Sequence, residues 1–471
     1  MEVQNGSGKP HIAIFPSVGV GHFVPLVQFA KQLCVYHGFS ATVITNKWMR
    51  AAKQVTYAEY LASSCLDIRF TELPDVDFHE EDEERMKIET RISKFMEKAA
   101  PYVGDILHSL LNSSSPISAF VTDFFCTATF DVATKLSIPT YVFFTSGACM
   151  LTLMLHFPKF ALEHSVSFKD EEEFCVEVPG LPVFCARDLP EPMKDRSDPV
   201  FHCFVQHCNR LPEATGILIN TFEDLEADAL KALREGESKP PIYAIGPVIS
   251  ESHETHLCLK WLDQQPPSSV VFVSFGSGAF MSRKQIAELA HGLESSGHRF
   301  LWVVRGEQKF ITFNPSQDTD LSELLPEGFV SLTKDRGLVV LNWAPQIPIL
   351  SHPSTGGFLS HCGWNSTLES ISYGVPMISW PLFAEQRLNR FMLINHEKVA
   401  IDLKTERDGF VMRAEVERAV RTLMEGEEGI KARENMRELK EKAKTALMEG
   451  GTSYKSMATA AAHLMEKQAF K

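Results

Sequence analysis

The chain has 471 residues, of which 44% are hydrophobic and 23% are charged, a composition typical of a folded protein with two or three domains. A formal net charge of −14 argues against a nucleic-acid surface, which needs clustered lysine and arginine, but it allows a local basic pocket for a small phosphate. Ten cysteines without regular spacing indicate free thiols in a reducing compartment, which predicts a cytoplasmic protein.

The sequence predicts no signal peptide, membrane span or metal site. The N-terminal MEVQNGSGKP lacks the basic and apolar regions of a signal peptide. The longest charge-free apolar stretch, 138–157, contains proline and glycine and begins like a buried strand. His202, Cys203, His207 and Cys208 have a spacing that a helix face also gives, and no CxxC motif accompanies them, so we expect no metal there.

The first half of the chain alternates strand-like and helix-like segments. We predict strands at 11–15, 41–45, 117–122, 140–144 and 217–220, helices from His22 to a cap at Gly38 and from a cap near Thr221, and a loop at 165–200. The turn SVGVGH after the first strand lacks the third glycine of a dinucleotide fingerprint. No acidic residue follows the second strand, where Thr45 and Asn46 stand. These departures argue against an NAD-dependent oxidoreductase.

The second half repeats this order after a polar stretch. We predict strands at 270–275, 300–304, 338–341, 357–359 and 376–380, a helix at 283–297 capped by Ser282, a mobile polar insertion at 305–326, and helices at 413–425, 427–448 and 453–467, the last capped by Thr452 or Ser453. This pattern predicts an α/β fold with two Rossmann-like parallel-sheet domains facing across a cleft. We place the domains at 1–246, joined by a C-terminal helix at 453–471, and at 257–452, with a linker at 247–256.

Three predicted strands of the first half end in polar residues that are candidates for catalysis. His22 follows a glycine turn at a helix start, Asp123 follows the strand at 117–122, and Thr145 follows the strand at 140–144. The positive end of a helix favours a neutral imidazole, so His22 is a candidate general base, unless it is simply a helix N-cap residue. Asp123, at the same sheet edge, could bond the other ring nitrogen and hold its tautomer.

The stretch from Trp343 to Gln386 combines two strand–loop–helix units with residue types that suit a nucleoside diphosphate sugar. Trp343 offers a flat face for a base, and Glu369 can accept two hydrogen bonds from a ribose diol. Four residues offer hydrogen-bond donors for a diphosphate: Ser277, His361, Asn365 and Ser366. Glu385 and Gln386 are suited to sugar hydroxyls. Asn365 and Ser366 stand where a helix begins, and free N–H groups and the helix dipole favour an anion there. Each residue alone has an ordinary structural explanation, but the whole set indicates a binding site.

Residues 343–386 resemble, at matching length and at nearly every signature position, the plant secondary product glycosyltransferase box of the UDP-dependent glycosyltransferases. The motifs HCGWNS, GVPM and the terminal EQ stand in register. The resemblance extends over the whole chain through PSVGVGH, VTDFF, HFPKF, ILINTFEDLE, CLKWLDQQP, VSFGSG and LMEGEEG. These segments resemble the branch that glucosylates hydroquinone, monolignols and other small phenolics.

The resemblance implies a GT-B fold and an inverting transfer from UDP-glucose to a small phenolic or flavonoid acceptor, with no metal cofactor. We also expect a monomer. By the same resemblance, Trp343 stacks on uracil beside Ala344 and Gln346, and Glu369 holds the ribose. The residues implied to hold the diphosphate are Ser277, His361, Asn365 and Ser366, and those implied to hold the hexose are Trp364, Glu385, Gln386 and Thr145. The resemblance also implies that His22 is the base, with Asp123 as its partner. Glu385 replaces the Asp of many members but keeps the same hydrogen-bonding capacity, and Gln386 predicts glucose over galactose.

Other functions stay open at this stage. The nucleophile could be an aromatic carbon, which would make the product a C-glucoside. The fold could also serve a non-catalytic nucleotide-sugar binding protein, although the presence of both His22 and Asp123 counts against it. The acceptor cannot be identified from the sequence, but its pocket is expected around 79–98, 144–160 and 180–205.

Overall fold

The structure is a computed structural model that describes residues 9–46, 48, 66–78, 86–235, 240–250, 256–306, 321–406 and 409–466. The chain divides into two compact units. The first contains Met1–Arg187, Pro192–Val248 and Ala446–Lys471, and the second contains Asp188–Glu191 and Ile249–Thr445. The chain therefore contributes four residues to the second unit early, enters that unit again at Ile249 and returns to the first unit at Ala446.

The first unit contains a parallel sheet that, within the described residues, has seven strands in the order β3-β2-β1-β4-β5-β8-β9. The strands are β1 (His11–Phe15), β2 (Ser40–Thr45), β3 (Ile68–Glu72), β4 (Ile117–Thr122), β5 (Thr140–Phe144), β8 (Gly216–Ile219) and β9 (Ile242–Ala244). β1 lies between β2 and β4, and all its residues are buried. Such continuous apolar strands are typical of a parallel sheet covered on both faces.

Helices connect these strands. They are α1 (Val20–His37), α2 (Ile88–Leu111), α3 (Phe130–Lys135), α4 (Ala148–Glu163), α5 (Pro199–Arg210) and α6 (Ala227–Arg234). α1 begins two residues before His22 and ends at Gly38, whose φ of 71° and N–H bond to the Leu33 carbonyl form the predicted cap. The apolar stretch 138–157 divides into β5 and the first part of α4, and no helix among the described residues is long and apolar enough to cross a membrane.

Two predictions for residues 165–234 are wrong. α6 does not begin near Thr221, because the Thr221 hydroxyl donates to the buried Glu226 carboxylate at 2.6 Å. That carboxylate also accepts the Ala148 and Cys149 N–H groups at the start of α4, at 2.7 and 2.8 Å, which keeps the segment before α6 out of the helix. Residues 165–200 are not only loop, because they contain the strands β6 (Cys175–Val176) and β7 (Phe184–Cys185) and the start of α5, capped by Asp198.

The second unit contains a parallel sheet of six strands, counted over the described residues, in the order β12-β11-β10-β13-β14-β15. The strands are β10 (Val270–Ser274), β11 (Arg299–Val304), β12 (Gly337–Leu341), β13 (Thr355–Ser360), β14 (Met377–Ser379) and β15 (Ala400–Asp402). The helices are α7 (Leu257–Leu262), α8 (Arg283–Ser296), α9 (Leu321–Leu324), α10 (Phe329–Thr333), α11 (Gln346–Ser351), α12 (Trp364–Tyr373), α13 (Gln386–Phe391), α14 (Arg413–Glu425) and α15 (Glu427–Leu447). Ser282 caps α8 as predicted. Most of the insertion predicted to be mobile, residues 307–320, lies outside the described residues.

The last helix, α16 (Thr452–Met465), packs in the first unit. Its N-cap is Gly451 rather than Thr452 or Ser453, since the Ser453 hydroxyl donates to the Gly246 carbonyl at 2.6 Å. Near the other end of the helix, the Ser118 hydroxyl donates to the Leu464 carbonyl at 2.7 Å. Leu464 is fully buried in the core that α1 and the first sheet form, so the C-terminal segment completes a core begun at the N-terminus.

We expect Leu464→Ala to destabilise the first unit. Leu464 is 0% exposed, and truncating a buried leucine costs about 2–5 kcal/mol of unfolding free energy through lost burial and the cavity left behind. Met465 is the matched control, because it is adjacent in the helix but 46% exposed, and Met465→Ala should change stability by no more than about 0.5 kcal/mol. Urea unfolding of both variants measures the difference, and equal midpoints would contradict the docking of this helix.

Candidate active site

In the first unit, His22, Asp123 and Thr145 come together. They follow β1, β4 and β5, which are neighbours in the sheet, so the carboxyl ends of these strands bring the three side chains to one edge. The His22 Nδ1 atom lies 3.3 Å from Asp123 Oδ2 and 3.2 Å from Thr145 Oγ1. His22 sits in the first turn of α1, which Gly19 starts with a φ of 116°.

Asp123 is the buried anchor of this cluster. Its side chain is 0% exposed, and its carboxylate accepts the backbone N–H of Ser17 at 2.6 Å and that of Phe125 at 2.9 Å. Burial alone would raise the pKa of this carboxyl, but the attraction of His22 and the hydrogen bonds from His22 and Ser17 hold the pKa below its usual value. An ionised carboxylate can only accept hydrogen bonds, so it keeps the hydrogen of His22 on Nδ1 and leaves Nε2 as the basic nitrogen.

Aromatic rings surround His22 on one side. The ring centroids of Phe124 and Phe125 lie 5.9 and 5.6 Å from that of His22. Phe124 also contacts Phe144 at 5.6 Å and Phe204 at 6.2 Å. The His22 ring therefore lies beside apolar surfaces that would suit a flat aromatic molecule.

His207 supports this arrangement, although sequence reasoning considered it only within a metal-like cluster. It is buried, and its two ring nitrogens each lie 2.8 Å from a hydroxyl, Nδ1 from that of Thr127 and Nε2 from that of Ser93. Its ring meets that of Phe125 edge-on at 5.7 Å. Burial lowers the pKa of His207 to about 4, so it is neutral near pH 7. In the described part of the chain, no three His, Cys, Asp or Glu side chains group as metal ligands would.

In the second unit, the candidate residues again follow strand ends. Asn342 (φ 62°) and Trp343 follow β12, Cys362 (φ 63°) follows β13, and Ala384 (φ 55°) follows β14. A left-handed residue that is not glycine costs about 1–3 kcal/mol and persists only where the surrounding structure demands it. Here each of the three left-handed residues lies at a turn between a strand and the candidate residues that follow it.

His361 lies in a close-fitting site between two glycines. A Cβ on Gly276 would lie 2.7 Å from the His361 Nε2 atom, and one on Gly363 would lie 2.5 Å from it, so only glycine leaves room for the ring. The two glycines belong to turns after β10 and β13, which pair directly. The Nδ1 atom is buried and has no hydrogen-bond partner in the described structure. Burial lowers the pKa of His361 to about 4, so the imidazole is neutral near pH 7.

Two helices form the neighbouring part of the site. The Gln346 amide, at the start of α11, donates to the Ser366 hydroxyl at 2.9 Å and to the Glu369 carboxylate at 2.7 Å, both on α12. Trp364, Asn365 and Ser366 form the first turn of α12, whose N–H groups have no acceptor within the helix. Trp343 is half-buried, and its ring meets that of His256 edge-on at 5.8 Å. Its neighbour Ala344 is buried.

Gln386 and Glu385 stand at the start of α13. The Gln386 side-chain oxygen accepts the backbone N–H groups of Leu382 and Phe383 at 2.8 and 3.0 Å. These two donors identify the oxygen, so the group that Gln386 can present to a ligand is its NH2 donor. On the same helix, the Asn389 amide donates to the carbonyl of the left-handed Cys362 at 2.9 Å, which joins this loop to the one after β13.

Two elements of this region were not recognised in the sequence. Arg305 follows β11 and donates to the carbonyls of Ser277 and, at 3.0 Å, Asn342, so it ties together the loops after β10 and β12. Glu191 belongs to the four early residues of the second unit. Its N–H donates to the Ala384 carbonyl at 3.2 Å, and its carboxylate accepts from Arg387 at 3.1 Å. A charged residue directly after a strand was a usable signal for Arg305, but nothing local distinguishes Glu191.

The structure therefore groups the predicted residues into two sets. His22, Asp123 and Thr145 belong to the first unit, where Thr145 contacts His22. The second unit holds the remaining predicted residues, Ser277, Trp343, Ala344, Gln346, His361, Trp364, Asn365, Ser366, Glu369, Glu385 and Gln386. Ser277 is exposed beside the glycine that confines His361.

Comparison with known proteins shows similarity over nearly the whole chain. The sequence family described as UDP-glucoronosyl and UDP-glucosyl transferase matches residues 239–441. A hydroquinone glucosyltransferase of Rauvolfia serpentina is 42% identical over 95% of this chain and 96% of its own length. UDP-glycosyltransferase 72B1 of Arabidopsis thaliana is 42% identical over 97% of this chain and 96% of its own length.

Solved structures show the same relationship. A Phytolacca americana UGT2 complexed with UDP-2fluoro-glucose and pterostilbene has a TM-score of 0.87 and 42% identity, covering 97% of this chain and 99% of that one. A Polygonum tinctorium UDP-glucosyltransferase capable of glucosylating indoxyl has a TM-score of 0.90 and 39% identity, covering 98% of this chain and 100% of that one. These matches confirm the GT-B fold that the sequence resemblance implied.

We expect His207→Gln to change how stability depends on pH. The unfolded imidazole takes up a proton near pH 6.5, whereas the buried one does so only near pH 4, so folding stability falls as the pH drops through this interval. His207 alone accounts for about 3 kcal/mol of this loss. Gln cannot titrate, so the variant should be less stable than the wild type at pH 7, through weakened buried hydrogen bonds, and this deficit should shrink or reverse towards pH 4.

Urea unfolding between pH 7 and pH 4 measures the effect. His202→Gln is the matched control, because His202 lies on the same helix but is exposed, and it should keep the wild-type pH profile. Parallel pH profiles for wild type and His207→Gln would show that the buried imidazole does not titrate as inferred.

Proposed function

The chain belongs to the plant family 1 UDP-dependent glycosyltransferases, and we propose that it transfers glucose from UDP-glucose to the oxygen of a small phenolic acceptor, with inversion at the sugar's anomeric carbon. Within this family the chain belongs to the phenolic branch, which contains the hydroquinone glucosyltransferase. The relatives at 42% identity are named as transferases, so the chain is assigned the same class of activity. The observation that carries the proposed mechanism is the bond between His22 Nδ1 and the fully buried carboxylate of Asp123.

His22 is the proposed general base. Asp123 holds the hydrogen on Nδ1, so Nε2 can take the proton of an acceptor hydroxyl, and the carboxylate stabilises the imidazolium that forms. A phenol has a pKa near about 10, as tyrosine does, so a neutral imidazole needs to supply only modest help. Thr145, predicted to contact the hexose, is also close enough to Nδ1 to steady the ring.

A phenolic acceptor is supported by the rings beside the base. Phe124 and Phe125 give His22 an apolar, aromatic neighbourhood, which favours an aromatic alcohol over a free sugar or a charged alcohol. Relatives at 42% and 39% identity are named for hydroquinone and anthocyanidin substrates, both of which are phenols. The acceptor oxygen is preferred to an acceptor carbon because a relative at 39% identity is named an anthocyanidin 5,3-O-glucosyltransferase.

The second unit supplies the donor site in this proposal. Trp343 stacks on uracil beside Ala344, and the Gln346–Glu369 bond orients the carboxylate towards the ribose diol. The diphosphate is bound by the first-turn N–H groups of α12, by Asn365, Ser366 and Ser277, and by the otherwise unbonded Nδ1 of His361. A neutral His361 can donate one hydrogen bond to the diphosphate. It adds no positive charge that would oppose the release of UDP.

Sugar recognition is assigned to Trp364, Glu385 and Gln386. The oxygen of Gln386 is already occupied by two backbone N–H groups, so its NH2 donates to a sugar hydroxyl, while Glu385 accepts from one. A donor and an acceptor at fixed positions can distinguish the orientation of one hydroxyl, the feature that separates glucose from galactose. The acceptor oxygen then attacks C1 in line as UDP departs, and the α12 N-terminus and His361 stabilise the leaving diphosphate without a metal-dependent step.

We expect Gly363→Ala to weaken UDP binding. The added Cβ would lie 2.5 Å from His361 Nε2 and would push the ring away from its position, which should raise the Kd for UDP about tenfold or more through loss of one phosphate contact. Gly278→Ala is the matched control, because there the Cβ meets only Phe383 at an ordinary 3.5 Å. Isothermal titration with UDP measures both, and equal affinities would remove His361 from the phosphate site.

The proposed function is tested by turnover with a panel of phenols and with UDP-glucose or UDP-galactose, read by product mass. We expect O-glucosides that acid hydrolyses, faster turnover with UDP-glucose, and no loss of rate in the presence of a chelator. His22→Ala should lower kcat/KM about 10²–10⁴-fold, and Asp123→Asn should lower it by a comparable factor because Asn can hold the wrong tautomer.

His37→Gln, at the opposite end of α1, is the control and should keep full activity. Unchanged turnover in His22→Ala would refute the base. Equal rates with the two sugars would refute the role of Gln386, and an acid-resistant product would identify a C-glucoside instead.

A further inference from the structure

A short hairpin in the first unit brings two thiols face to face. β6 and β7 pair antiparallel, with Cys175 directly opposite Cys185 and Val176 opposite Phe184. The N–H of Ala186 donates to the Phe174 carbonyl at 2.8 Å, which makes Cys175 and Cys185 the non-hydrogen-bonded pair of this ladder. The Cα atoms of such a pair lie about 4.5 Å apart, inside the range of about 4.4–6.8 Å that a disulfide requires.

The hairpin fixes this register and leaves Cys175 exposed to solvent. Val176 and Phe184 are each 2% exposed and anchor the two strands in the core, so the cysteines cannot slip past each other. Cys175 is the exposed cysteine among those that the structure describes, and Cys185 is half-buried beside it. The other described thiols, Cys34, Cys126, Cys149, Cys203, Cys208, Cys258 and Cys362, are buried or half-buried.

We propose that Cys175 and Cys185 are a site of reversible oxidation that forms an intramolecular disulfide. With hydrogen peroxide, the Cys175 thiolate attacks one peroxide oxygen, the O–O bond breaks and hydroxide leaves, so that a sulfenic acid and, after protonation of the hydroxide, a molecule of water form. The Cys185 thiolate then attacks the Cys175 sulfur, the S–O bond breaks, and hydroxide leaves as water. Two thiols thereby lose two electrons to one peroxide, and a thiol reductant reverses the reaction.

The position of the pair gives the bond a structural consequence. The chain passes from Cys185 through Ala186 to Arg187, whose side chain pairs with Glu173 at 2.7 Å and whose carbonyl accepts from Lys194 at 2.9 Å. The next four residues, Asp188–Glu191, belong to the second unit, where the Glu191 N–H donates to the Ala384 carbonyl. A disulfide between residues 175 and 185 would covalently close the loop that precedes Asp188–Glu191. It would thereby restrict local unfolding of the chain at Arg187.

The experiment oxidises the purified full chain with hydrogen peroxide or with glutathione disulfide and maps the cysteines by mass spectrometry. No Lys or Arg lies between the two cysteines, so trypsin leaves both in one peptide, and an additional cleavage after Glu177 separates them into two peptides. We expect a cross-linked Cys175–Cys185 peptide pair as the main oxidised product, lost on treatment with dithiothreitol. Limited trypsin digestion should cleave after Arg187 at least about threefold more slowly in the oxidised protein.

Single variants separate this site from general oxidation. Cys185→Ser should stop at a Cys175 sulfenic acid that dimedone traps, and Cys175→Ser should leave Cys185 largely unmodified. Cys203→Ser, which removes a half-buried thiol elsewhere in the unit, should form the cross-link as the wild type does. Formation of dimers, of mixed disulfides alone, or of equal dimedone labelling in both single variants would overturn the proposal.

Discussion

Parallel pairing of neighbouring strands is the constraint on which both parts of the site depend. A parallel sheet places the carboxyl ends of its strands along one edge, so residues far apart in sequence meet there. In the first unit β1, β4 and β5 are neighbours, and the residues that follow them are those around His22. In the second unit β10 and β13 pair directly, which brings the glycine turn after one strand against the histidine after the other.

Buried charges at these edges are stabilised by backbone N–H groups as well as by side chains. Asp123 accepts N–H groups from Ser17 and Phe125 in addition to its bond with His22, and Glu226 accepts two N–H groups from the start of α4. A carboxylate removed from water needs such partners to remain ionised. The same bonds fix the loops that carry His22 and Thr145, so the electrostatics and the geometry of the site have one cause.

Several residues shape the site without belonging to its sequence motifs. His207 joins Ser93 to Thr127 and packs on Phe125, which in turn contacts His22. Arg305 joins the loops after β10 and β12. The partners of His207 lie 114 and 80 positions away in sequence, so no local pattern could indicate them. The spacing of His202, Cys203, His207 and Cys208 reflects a helix that buries only some of them.

The sequence alone determined the fold class, the order of most elements and the family, because apolar periodicity, glycine turns and the Trp343–Gln386 motif are local properties of the chain. Local signals failed where a distant partner competed with them, as when Glu226 bound Thr221 and the start of α4 and so delayed α6. Only the tertiary structure showed that Asp123 and Thr145 share the Nδ1 atom of His22, that two glycines confine His361, and that Cys175 faces Cys185. Strand order and register decide such contacts, and both depend on packing across the whole unit rather than on neighbouring residues.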